Sequence, residues 1–137
     1  MQNHNGLRLA LRLNAVFSTC SAVGILLAYD FLSELMGVYS EILISAAMGL
    51  AGFAGYLVFT AARTDTAKLR REALQHSISD FAWVVGSLVV VALGLVSEAG
   101  NAILIAVCVP VLVLGVAQWR GVPSVQESGA SGVVIKA

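Results

Sequence analysis

Asp80 stands immediately before an apolar run, 81–97, that is short for a bilayer. It spans about 25 Å at ~1.5 Å per residue, against ~30 Å of hydrocarbon. A short run draws its flanks inward, so the carboxyl is expected at the cytoplasmic edge of the membrane core. A charge there costs less than the ~2.5–3.5 kcal/mol of the bilayer centre but still favours a partner. Arg12 and Asn14 fall at the same depth on the first apolar run, and Thr60 and Arg63 on the second. Ser18, Ser21, Tyr56, Trp83 and Ser87 extend this set at helical spacing. Two kinds of chemistry are open to these residues. One is a cytoplasm-facing polar cluster that binds an ion, a proton or a small polar ligand. The other is structural: Ser77-x-x-Asp80 resembles a helix-capping pattern, and an interfacial ion pair would fix helix register.

Other chemistry finds no support in the residue pattern. No glycine-rich phosphate loop, metal-ligand cluster or nucleophile–base pair is present, so no catalytic residue, metal or cofactor is expected and the chain does not read as an enzyme. His4 and His76 lie outside the apolar runs, which argues against a membrane-embedded bis-histidine haem. Cys20 and Cys108 sit inside apolar runs without C-x-x-C spacing and read as small core residues. The basic residues lack interleaved aromatics, so nucleic acid is not an expected partner.

The elements that must position the cluster follow from composition. Hydrophobic residues make up 58% and charged residues 12% of the 137-residue chain, about half the charge of an ordinary soluble domain. Too few charges are available to cover that apolar surface in water, so the solvent is a bilayer. Four apolar runs, 13–29, 42–62, 81–97 and 102–119, are each read as a membrane helix. The fold class is therefore all-α: a polytopic membrane protein with four transmembrane helices in a compact bundle occupying 1–120. The first run follows Arg8 and Arg12 as a signal peptide would, but no small-residue cleavage site succeeds it, so it is read as a retained span. Segment 63–80 is a cytoplasmic connector, the hairpin between the third and fourth spans is placed at 98–101, and 121–137 is expected to be a flexible cytoplasmic tail. Pro110 could kink the fourth span.

All eight Lys and Arg lie in the N-terminal segment, the connector or the C-terminal segment, and the other two loops carry only acids. The positive-inside rule then sets both termini in the cytoplasm, as a multi-pass protein of the plasma or inner membrane. So complete a bias also argues against dual-topology insertion.

Membrane helices pack through small residues. Ala47, Gly49, Ala51, Gly52 and Gly55 on the second run and Gly94 on the third are the expected packing positions. The first and third runs resemble each other at an offset of 66 residues, which pairs Asn14 with Asp80 and suggests a duplication. Besides the lipid bilayer, a second copy or a partner membrane protein is the expected contact. The leading functional expectation is an auxiliary or structural subunit, or a homo-oligomer, acting through helix–helix association. The alternative is a small channel or transporter for an ion or small polar solute, built on Asp80 and Asn14.

Overall fold

The computed structural model describes residues 3–130. Four helices, α1 (Asn3–Met36), α2 (Ser40–Ala61), α3 (Thr66–Ala92) and α4 (Glu98–Ala130), run up and down as a bundle. Each contains a stretch long and apolar enough to cross a membrane. The distribution of polarity is that of a protein dissolved in lipid. Large apolar side chains such as Leu27, Leu93 and Val109 are exposed, whereas Asn14, Ser18, Thr60, His76, Asp80 and Gln118 are buried.

The helix ends have local causes. At the end of α1, Gly37 takes φ +70° and its N–H and that of Val38 both reach the Ser33 carbonyl, which turns the chain sharply into α2. The α2–α3 link is short because Asp65 caps α3, accepting from the N–H groups of Ala67 at 2.9 Å and Lys68 at 3.2 Å. Most of the expected connector 63–80 is therefore the first half of α3. Asp80 caps nothing and lies about 21 Å along the helix, at ~1.5 Å per residue. The reason is a stripe of buried positions, Leu69, Ala73, Ser77, Asp80, Val84 and Ser87, that runs unbroken through both parts of the helix.

The third span also ends earlier than its apolar run. Gly94 adopts φ +63°, so α3 stops at Ala92, and Gly94 is a turn residue rather than a packing one. The hairpin is 93–97, and Glu98 already opens α4. Ser97 caps that helix by accepting the Gly100 N–H at 3.0 Å, and it ties the turn to the end of α1. Its hydroxyl donates to the Leu35 carbonyl at 2.6 Å and its N–H to the Met36 carbonyl at 2.9 Å.

Pro110 is passed as regular helix; the break in helical backbone falls instead at Ala28, with φ −127° and ψ 20°. At its other end α4 continues to Ala130 across the first part of the expected flexible tail, anchored where Val122 joins the core. Residues 131–137 of that tail lie outside the described residues.

α1 packs on α2 and α4, and α3 on α4, but α2 and α3 approach each other at few positions. A pseudo-twofold duplication would make the α1–α4 and α2–α3 contacts alike; they are not. At the end that carries the basic residues, Leu7, Leu11, Ala15, Leu57, Ala61, Leu69, Ala73 and Val122 form one continuous apolar layer. Val84, Cys108 and Val111, joined by Phe17 and Val107, form a smaller one nearer the middle.

Candidate functional site at the foot of an intramembrane cavity

Three helices bring three polar side chains to one point. The Asn14 amide on α1 donates from Nδ2 to Asp80 Oδ2 on α3 at 2.7 Å. The Gln118 amide on α4 donates from Nε2 to the same oxygen at 3.1 Å. Ser18, one turn above Asn14, donates to Asn14 Oδ1 at 3.4 Å and keeps that amide oriented. Asn14, Asp80 and Gln118 are 1%, 4% and 0% exposed, so the cluster is shielded from bulk solvent. α4 can come this close because position 115 is glycine: a Cβ there would sit 3.2 Å from Asp80 Cβ and 3.4 Å from the Phe81 ring.

Both amides converge on Oδ2. Asp80 Oδ1 accepts no hydrogen bond among the described residues, and Gln118 Oε1 is buried without a partner. No cationic side chain among the described residues bonds the carboxyl. Asp80 also lines a cavity of about 560 Å³ that extends from the cluster toward the far end of the bundle. Ser18, Ser21 and Ser79 share its polar foot, Phe17, Phe53, Trp83 and Val111 form the walls, and Met36, Leu43 and Ile103 line its end away from the basic residues.

The apolar layer of Leu7, Leu11, Leu57 and Leu69 lies between the cluster and the basic end. This layer separates the cluster from the basic end, the side from which the sequence expects access. α3 begins four turns before Asp80, and those turns bring Leu69 and Ala73 in beneath the cluster.

A second group of polar residues joins α2 to α3. Thr60 Oγ1 lies 3.0 Å from His76 Nε2 and donates to Glu72 Oε2 at 3.1 Å. Arg63 forms an ion pair with Glu72 at 3.0 Å and lies over the Phe59 ring at 4.1 Å. Phe53 and Tyr56 pack edge-on to the His76 ring, with centroids 5.3 and 4.6 Å away. These contacts close the seam between α2 and α3 at its basic end.

The residues expected at one site are thus divided. Asn14, Ser18, Ser21, Asp80 and Trp83 gather around the cavity. Thr60, Tyr56 and Arg63 belong to the His76 group instead, because Glu72 takes up Arg63. Arg12 is exposed, away from Asp80, and Ser87 is buried without lining the cavity. Among the expected packing positions Ala47 is fully buried, whereas Gly49, Ala51, Gly52 and Gly55 are exposed. A Cβ on any of the three glycines would meet nothing within 4 Å. The close approaches occur on α4 instead.

Gln118 and His76 are the residues that sequence reading missed. Gln118 carried a usable signal, as the one amide inside the run 102–119 and on the face of Cys108 and Gly115. His76 carried little, because its burial depends on α3 starting at Thr66.

Comparison with protein-family models, with curated proteins and with solved structures finds no match. The functional reading accordingly rests on geometry.

Proposed function

We propose that the chain is a non-enzymatic, multi-pass membrane protein that binds a small molecule between its helices, with both termini on the cytoplasmic side of the plasma membrane. The orientation rests on the confinement of every Lys and Arg to three segments of the chain. One observation carries the binding reading: a cavity of about 560 Å³ ends on a buried carboxyl whose Oδ1 accepts no hydrogen bond among the described residues. That volume falls within the ~300–1,000 Å³ of small-molecule sites. Helices held together by polar residues alone would gain by filling the space, since packing contacts are what bind them in lipid.

The test uses Trp83, which lines the cavity; Trp119→Phe makes it the sole tryptophan of the two. In phosphatidylcholine nanodiscs, octanol is expected to shift Trp83 emission saturably. Gly49→Phe, which directs a ring into the cavity, is expected to remove the saturable part. A purely linear response, the same in both proteins, would reduce the signal to partitioning into lipid and refute the reading.

Association through α2 is the second reading, supported by the exposed Gly52 and Gly55 face. Light scattering in mild detergent separates the two. A fixed oligomer that Gly52→Leu dissociates supports association, and a monomer that still binds octanol removes it.

A further inference from the structure

The carboxyl at the foot of the cavity bears on what the cavity accepts. Asp80 is held by two neutral amides on one oxygen, with no Lys, Arg or His among the described residues bonded to it. Buried charge is ordinarily paired, so the missing counter-charge is a property the ligand can supply. An inorganic cation is a poor fit. It needs about six oxygen ligands in a tight shell, and the walls here are Phe17, Phe53, Trp83 and aliphatic side chains. A sugar-like solute would leave most of its hydroxyls unpaired against those walls, and an anion would meet the carboxyl.

The route to the cavity is equally restrictive. The apolar layer around Leu11 and Leu69 closes the basic end. At the other end Ser97 pins the α3–α4 turn to Leu35 and Met36. Between α2 and α3 the contacts cluster at His76, Thr60 and Glu72. Beyond them Gly49 on α2 and Ser79 on α3 are exposed and line the cavity, so its edge lies open between the two helices. That side faces lipid.

We propose, building on the binding reading above, that the cavity takes an amphiphilic organic cation, an apolar body with a protonated amine, which enters from the bilayer between α2 and α3 and pairs with Asp80. The apolar body accounts for the walls, and the ammonium N–H groups reach the unoccupied carboxylate oxygen. Lateral entry requires no opening of either end of the bundle.

Octylamine and octanol have the same chain and differ in charge, which makes them the probes. In the Trp119→Phe protein in phosphatidylcholine nanodiscs, octylamine is expected to bind about tenfold more tightly than octanol, as a charge-assisted hydrogen bond allows. Asp80→Asn is expected to remove that preference while octanol binding persists, which shows that the fold is intact. Should Asp80→Asn lose both probes, Asp80→Glu decides the matter, because it keeps the charge and must restore the preference for amine. Equal affinity of the wild-type site for the two probes, or an unchanged preference in Asp80→Asn, overturns cation recognition and leaves the binding reading standing. If neither probe binds saturably, the binding reading itself fails. Ser79→Phe, which keeps Trp83 as the sole tryptophan and stands on α3 at the cavity's exposed edge, is expected to slow the approach to equilibrium several-fold by obstructing the seam; an unaltered rate overturns lateral entry.

Discussion

Asn14 and Gln118 orient Asp80 without neutralising it, because an amide donates a hydrogen bond but carries no charge. Had Arg63 been the partner, as depth along the chain suggests, the carboxyl would be saturated and the cavity would end on a closed ion pair. Glu72 prevents this by holding Arg63 in a two-point contact, Nε to Oε2 at 3.3 Å and Nη2 to Oε1 at 3.0 Å. The geometry at Asp80 then depends on Gly115, where α4 has no side chain to hold α3 away. Gly115→Leu is expected to force the two helices apart at the cluster, costing about 1–3 kcal/mol as over-packed cores do. Thermal unfolding in detergent checks this, and an undiminished melting temperature would show that the close approach is dispensable.

At the scale of elements, the decisive fact is where α3 starts. Asp65, with its side chain on two backbone N–H groups, caps a helix that starts fourteen positions before Asp80. The added turns bring Leu69 and Ala73 into the apolar layer and His76 against Phe53 and Tyr56. Asp65→Ala is expected to cost about 1 kcal/mol, as lost N-caps do. Hydrogen exchange of the Ala67 and Lys68 amides should accelerate while that of Val84 does not. Uniform exchange across α3 before and after the substitution would contradict a helix that begins at this cap.

The whole molecule is polar inside and apolar outside, with the cations of the described residues at one end. Those two asymmetries are independent: the first sets what surrounds the bundle, and the second is the basis of the proposed orientation. In intact cells, an impermeant maleimide is expected to label Glu98→Cys from outside and to leave Lys68→Cys unlabelled, in a background with Cys20 and Cys108 replaced. The reverse pattern would invert the orientation, and labelling of both sites would exclude a single topology.

The number of helices and the solvent around them were legible in the chain itself, because long charge-free runs and segregated cations depend on composition alone. Asn14 and Asp80 could be singled out on the same grounds, since a polar residue is conspicuous against apolar neighbours. Their pairing with Gln118, the transfer of Arg63 and Thr60 to Glu72 and His76, and the sealing of the basic end required the tertiary structure. Each depends on the rotation and axial shift of one helix against another. Periodicity fixes neither quantity: it identifies the face of a helix but not the level at which that face meets its neighbour. The open seam between α2 and α3 is likewise a matter of assembly, because Gly49, which lines it, looks in sequence like a packing residue and only the absent neighbour distinguishes it.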